Sequence, residues 1–122
     1  MYVVCGFRAA DEYIVRYLSP SHCKLLRIYD KERRPSTVSQ DVKKFCLMKD
    51  GCFVNPRRED ILESKIILTT MVTSLQLTEL QLRGCFTHIL IDEAAQVHYA
   101  TALLADNYRR SRNILINIFN VR

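Results

Sequence analysis

Short apolar, β-branched runs alternating with segments of helical periodicity predict an α/β fold with a parallel sheet covered on both faces. Ile66-Ile67-Leu68-Thr69-Thr70 and Phe86-Thr87-His88-Ile89-Leu90-Ile91 are near-continuous apolar runs, as strands buried on both faces require. Ala10, Tyr13, Ile14, Tyr17 and Leu18 recur at i, i+3, i+4, i+7 and i+8, the period of a helix with one buried face. Composition agrees: 48% hydrophobic and 25% charged residues in a chain of 122 exclude disorder as the default and describe one domain, or part of a larger one.

The elements follow in order. Tyr2-Val3-Val4-Cys5 is the first strand, and the helix of residues 10–18 ends at Ser19-Pro20. Leu25-Leu26-Arg27-Ile28-Tyr29 is a second strand, closed by the charged turn from Asp30 to Pro35. Val38, Val42, Phe45 and Cys46 return to helical spacing, and Lys49-Asp50-Gly51 marks a turn. Asn55-Pro56 reads as an N-cap followed by Pro at the first helical position, opening a short helix through Glu59, Ile61 and Leu62. Ile66–Thr70 is the third strand. Ser74 is placed to cap a brief helix through Leu77 and Leu80, before Gly84 turns the chain into the strand of Phe86–Ile91. Val97, Ala100, Thr101 and Leu104 give another helical face, and Ile114–Phe119 is strand-like.

Several classes are set aside by simple counts. No apolar stretch approaches the ~20 residues of a membrane-spanning helix, and Met1-Tyr-Val-Val-Cys-Gly6 carries no basic region or long apolar region of a secretory leader. A cytoplasmic protein without membrane contact is expected. Five cysteines with no Cys-x-x-Cys pair fit that compartment better than a disulfide framework. A zinc site from Cys46 and Cys52 with His22, Cys23 or His88 is the alternative to idle thiols, but the spacing is long for a knuckle.

The net charge of +5 is uneven: residues 24–65 carry eleven Lys/Arg against seven Asp/Glu, and residues 105–122 four against one. The pairs Arg33-Arg34, Lys43-Lys44 and Arg57-Arg58 could follow a phosphate backbone. A solvated basic surface is the other reading, since no aromatic is interleaved with them.

Parallel sheets bind ligands at the carboxyl ends of their strands, so Thr69, Thr70, Asp92 and Glu93 are the polar residues of interest. Two carboxylates directly after a buried strand need a cation or hydrogen-bond donors. Either they cap the helix that begins near Ala94, or they form a Walker B pair in which an Asp holds Mg²⁺ and a Glu deprotonates water.

Thr87-His-Ile-Leu-Ile-Asp-Glu-Ala-Ala-Gln96 resembles motif II of superfamily 1 helicases, in the branch of the nonsense-decay and Dna2-like enzymes. Lys65-Ile-Ile-Leu-Thr-Thr-Met-Val-Thr-Ser74 resembles the strand and Thr-rich turn before that motif, and Cys5 with Ala9-Ala10-Asp11 resembles a shortened motif Ia. Arg58-Glu-Asp-Ile-Leu62 and Gly84-Cys-Phe-Thr-His88 resemble above all the helicase-with-zinc-finger proteins, with the Moloney-leukaemia-virus-10-like RNA helicases a near second.

The resemblance implies a partial RecA-like P-loop NTPase domain, with residues 1–104 as the centre of the first helicase domain from motif Ia to motif II. Residues 105–122 would be a divergent basic tail with a strand-like end. It implies ATP and Mg²⁺ as cofactors only within a complete helicase, with RNA as partner and with the phosphate loop and second RecA-like domain required. By position Asp92 matches the Mg²⁺- and nucleotide-binding acid, Glu93 the catalytic base and Gln96 the nucleotide-sensing residue. Thr70 and Ser74 match the turn that touches nucleic-acid backbone, and Arg57 and Arg58 are added from charge. No Gly-x-x-x-x-Gly-Lys-Ser/Thr occurs in these residues, so the phosphate-loop strand is expected to be lacking and the chain inactive by itself. The alternative is a non-catalytic RNA- or protein-binding remnant of a helicase. The missing strand is expected to leave the Phe86–Ile91 strand as a bare edge.

Overall fold

The computed structural model describes residues 2–5, 11, 24–82, 84–92 and 113–117. Five strands form one parallel sheet: β1 (Tyr2–Cys5), β2 (Leu25–Arg27), β5 (Ile66–Thr69), β6 (His88–Asp92) and β7 (Asn113–Asn117), in the order β2-β5-β1-β6-β7. The α/β class with a parallel sheet is therefore as the sequence predicts. The predicted helices of residues 10–18 and 97–104 lie outside the described residues, apart from helical Asp11.

Register explains the core. Leu26, Ile67, Val3, Ile89 and Ile114 stand in one row across the sheet. Of these, Leu26, Ile67 and Ile89 pack with Ile61, Leu77, Leu82 and Phe86, all buried. Leu25 and Leu68 form a second cluster with Phe45 and Ile66. Strand β5 is buried from Ile67 to Thr69, which is why it reads as a continuous apolar run rather than an alternating one.

Two helical pieces cover the first cluster. α2 (Arg58–Leu62) supplies Ile61, and α3 (Met71–Ser74) runs into a 3₁₀ helix, Leu75–Leu80, that supplies Leu77. One of the two expected caps lies elsewhere, and the other holds its position without a side-chain bond. The N-cap of α2 is Arg57, two residues beyond the predicted Asn55, because the Asp60 carboxylate accepts from the Arg57 N–H at 2.8 Å. Thr70 caps α3, its hydroxyl accepting from the Thr73 N–H at 3.2 Å, while Ser74 stands at the expected N-cap position of the 3₁₀ helix through Leu77 and Leu80 but makes no side-chain cap bond there. The first short helix, α1 (Gln40–Lys43), is capped by Ser39.

The turn at Lys49-Asp50-Gly51 belongs to a small antiparallel hairpin, β3 (Met48–Lys49) and β4 (Cys52–Phe53). Asp50 and Gly51 both have positive φ, 51° and 77°, the geometry of a primed hairpin turn. The hairpin anchors through Phe53, buried with Tyr29, Val38 and Val42.

The expectation of a bare β6 edge is overturned. β6 pairs with β1 on one side and β7 on the other, so among the described residues the sheet's outer strands are β2 and β7. Among the described residues, no helix is long and apolar enough to cross a membrane.

Truncating the core should separate the elements that hold the sheet from those that decorate it. Ile61→Ala and Ile67→Ala, both at fully buried positions, should each cost about 2–5 kcal/mol in urea unfolding. Val72→Ala, at a position 71% exposed on α3, should fall within about 0.5 kcal/mol of the parent.

Candidate functional site

Parallel pairing brings the carboxyl ends of all five strands to one edge. Cys5 of β1 stands in register with Thr69 of β5 and Ile91 of β6, and Asp92 follows, in register with Asn117 of β7. Strand order then selects the crevice. From β1 the chain passes to β2 on one side, whereas from β6 it passes to β7 on the other. The switch point is between β1 and β6, where open α/β sheets bind ligands. Asp92 ends β6 at that point. Glu93 and Gln96 lie outside the described residues.

Thr69 and Thr70 are two strands away at the same edge. Thr69 is buried and its hydroxyl donates to the Thr70 carbonyl at 3.2 Å. Thr70 is half-buried; its hydroxyl accepts from the Thr73 N–H and donates to Thr73 Oγ1 at 2.8 Å. Ser74 is fully buried, and its hydroxyl donates to the Met71 carbonyl at 2.6 Å. Of the two expected backbone-contacting hydroxyls, Thr70 is the one with solvent access, while Ser74 holds the turn together.

The basic pair divides likewise. Arg57 is exposed. The Arg58 guanidinium donates through Nη1 to the carbonyls of Leu80 (3.0 Å) and Gln81 (2.6 Å). It thereby closes the end of the 3₁₀ helix where Gln81 turns left-handed at φ 51°. Those carbonyls have no intrahelical partner, which gives Arg58 a structural task. The structure does not bring Arg57 and Arg58 together with a common free surface role.

Sequence reasoning missed Arg27. It is only 3% exposed, and its Nε donates to Asp11 Oδ1 at 2.8 Å. The Tyr29 hydroxyl donates to the other Asp11 oxygen, and the Arg27 guanidinium stacks 4.3 Å from the Tyr29 ring centre. The available signal was a charge inside an apolar run, Leu25-Leu26-Arg27-Ile28-Tyr29, since a buried cation requires a partner. Burial, then the hydrogen bond to Asp11, pushes the Tyr29 phenol up to about 12. Burial likewise pushes the Cys46 thiol up to about 11, with Arg27 opposing. Cys46 Sγ donates to the Val42 carbonyl, whereas Cys52 is exposed. Among the described residues no three His, Cys, Asp or Glu side chains gather as a metal site.

The chain is similar to helicases. Over 97 residues, covering 72% of the chain, it is 41% identical to a human protein named probable helicase with zinc finger domain, and 40% identical to the mouse protein of that name. Over 105 residues, 82% of the chain, it is 30% identical to the mouse protein named 3′-5′ exoribonuclease HELZ2. The chain spans only about 5% of the length of the first two relatives and 4% of the third. These matches bear out the helicase relationship read from the sequence. No family model and no solved structure matches the chain.

The Tyr29 phenol gives a pH signature. Its pKa is raised in the folded state above the ordinary 10 to about 12, so the stabilisation is complete below pH 10 and is lost as pH rises toward 12. Tyr29→Phe should flatten that alkaline loss in denaturant midpoints measured across the range. In ultraviolet titration the late phenol ionisation of Tyr29 should vanish in Tyr29→Phe. Thr70→Ala should cost about 1 kcal/mol through the lost cap, read by the same unfolding experiment.

Proposed function

We propose that this chain, a relative of the helicase-with-zinc-finger proteins over most of its length, is a segment of the first RecA-like domain of an ATP-dependent RNA helicase. The helicase-named relatives support a helicase-related function. The observation that carries the finer reading is the position of Asp92, at the carboxyl end of β6 beside the switch point between β1 and β6. An acidic residue there suits a hard cation that prefers oxygen ligands, so the donor chemistry fits Mg²⁺.

Within the complete core, Asp92 would hold the metal of MgATP, whose terminal phosphoryl group is the one transferred to water. Glu93, the next residue, would accept the proton of the attacking water. Gln96 would report on the terminal phosphate. On the nucleic-acid side, the Thr70 hydroxyl and the exposed Arg57 guanidinium offer contacts to phosphate without reading sequence. Ser74 and Arg58 act behind them, Ser74 by bracing the α3 turn and Arg58 by closing the 3₁₀ helix.

Two experiments test this. The 122 residues alone should bind MgATP no better than about millimolar and should not hydrolyse it, since the backbone cradle and Lys that hold a triphosphate are not among them. In a longer chain carrying a relative's upstream strand and phosphate loop, binding should return, and Glu93→Gln should keep binding while abolishing turnover. Calorimetry showing micromolar MgATP binding to the 122 residues, lost in Asp92→Ala, would overturn the account.

RNA binding should be sequence-tolerant and should weaken steeply with salt. Arg57→Glu should reduce the magnitude of the log-log salt slope by about 0.7, one phosphate contact on a single strand. Arg58→Glu should lower thermal stability instead. An unchanged slope in Arg57→Glu would move the contact elsewhere and count for the protein-binding remnant.

A further inference from the structure

Of the basic pairs, Arg33-Arg34 stands beside a hydroxyl. It leads into Pro35-Ser36, so Ser36 has arginine at both the third and the second preceding positions, the only Ser or Thr of the chain that does. Protein kinases select substrates by charge pattern, and those with an acidic peptide groove take a hydroxyl in that arrangement. A second protein can reach the turn: Ser36 and Arg34 are exposed, and Arg33 is half-buried. The turn follows β2, on the side of the sheet away from β7, so strands added beyond β7 would lie far from it.

The structure then chooses among three neighbouring hydroxyls. Thr37 Oγ1 donates to the Arg34 carbonyl at 2.8 Å and accepts from Arg33 Nε at 3.2 Å. Ser39 Oγ accepts from the Val42 N–H at 3.4 Å as the cap of α1. Ser36 Oγ has no such bond among the described residues. A kinase groove takes its substrate extended, and that form is close at hand. Arg34 and Val38 are already extended, with ψ of 119° and 135°, and the single 3₁₀ turn between them, Pro35–Thr37, buries none of its residues. Two backbone bonds hold it, from the N–H groups of Thr37 and Val38 to the carbonyls of Arg34 and Pro35, each 3.1 Å. Opening the turn therefore exposes no core, which makes it a local event of low cost.

We infer that Ser36 is a phosphorylation site for a basophilic serine/threonine protein kinase. Carboxylates of the kinase groove hold the Arg33 and Arg34 guanidiniums. Ser36 Oγ attacks the terminal phosphorus of ATP, and the new Oγ–P bond forms as the bond from that phosphorus to the β–γ bridging oxygen breaks. ADP leaves, and the hydroxyl proton passes to the catalytic aspartate of the kinase. The phosphoserine carries about −1.5 to −2 charges at neutral pH. Ser36 stands three residues from Arg33, one turn of a 3₁₀ helix, so the phosphate draws the arginine pair onto itself and removes it from the basic surface. The inference rests on the arginine spacing and the exposed turn, and is independent of the helicase reading.

The full 122-residue chain, incubated with MgATP and the catalytic subunit of the cyclic-AMP-dependent protein kinase, tests it. The intact mass should show one added phosphoryl group, fragmentation should place it on Ser36, and Ser36→Ala should take up none. Arg33→Ala and Arg34→Ala should each lower kcat/KM for the chain by about ten- to a hundredfold, the loss of one charge-assisted hydrogen bond. Circular dichroism checks that the variants fold. Because Arg33 also lies over the Tyr29 ring at 5.3 Å, exposed Arg34 carries the comparison should Arg33→Ala unfold. A synthetic peptide of residues 31–40 sets the scale. The folded chain should react no more than about a hundredfold more slowly than the peptide, whereas a site reached only by global unfolding would lose at least about a thousandfold. No uptake, phosphate on Thr37, Ser39 or Ser111 instead of Ser36, a rate indifferent to Arg34→Ala, or a wider gap from the peptide would overturn the site.

Discussion

Parallel strand pairing is the constraint on which the rest of this structure depends. A parallel neighbour cannot be reached by a tight turn, so each strand must be followed by a crossover that returns the chain to the same starting edge. All five carboxyl ends then collect at one side of the sheet, and every turn leaving a strand there is a place for polar chemistry. The order β2-β5-β1-β6-β7 adds the asymmetry. The chain departs from the central strand β1 in one direction and from its neighbour β6 in the other, opening a crevice between them. The location of Asp92 at a candidate nucleotide site thus follows from topology, before any property of the carboxylate is considered.

The ion pair of buried Arg27 with partly buried Asp11 ties that residue to the frame. Each charge is costly to bury, and the attraction between them returns only part of the cost. The pair is better understood as a positional device than as a source of stability. Removing one partner of such a pair typically costs about 3–5 kcal/mol, while replacing both with well-packed apolar groups can be neutral. Tyr29 completes the arrangement by stacking on the guanidinium and donating to the same carboxylate. Asp11 follows β1 in sequence, so this network fixes that residue against the outer strand β2. The same network reaches Cys46 through the Arg27–Cys46 bridge on the outer side of β2.

What the sequence made legible was the apolar pattern. β1, β2 and β5 fall within the runs identified from hydrophobicity, and β6 and β7 overlap theirs, β6 running on to Asp92 and β7 starting at Asn113, because the strands of a parallel sheet favour apolar, β-branched residues. Caps were less legible, since several hydroxyls and carboxylates compete for a few N–H groups. Asn55-Pro56 has the composition of a helix start, yet Asp60 reaches back to Arg57 and sets the boundary there. Ser74 stands at the N-cap of the 3₁₀ helix, as its composition suggests, yet its hydroxyl turns back onto Met71 instead of capping, because α3 runs straight into that helix from the Thr70 cap. Strand neighbours were not legible at all: nothing local in Phe86–Ile91 says that β1 and β7 will flank it. The acid pair was legible only as a motif, with Asp92 found at the expected strand end and Glu93 and Gln96 outside the described residues.

The Thr70 turn shows how local structure constrains function. A hydroxyl has one proton to donate, and Thr70 gives it to Thr73 Oγ1 while accepting from the Thr73 N–H. A phosphate oxygen can only accept. Contact between Thr70 and a nucleic-acid backbone therefore requires that proton to swing away from Thr73. The cap from the Thr73 N–H can survive this change, because it uses a lone pair rather than the proton. The exchange trades one neutral hydrogen bond, worth about 1 kcal/mol net, for a charge-assisted bond of about 1.5–3 kcal/mol. In the proposed RNA-bound state that difference would favour the contact, while Ser74, with its hydroxyl buried against Met71, holds the turn in place.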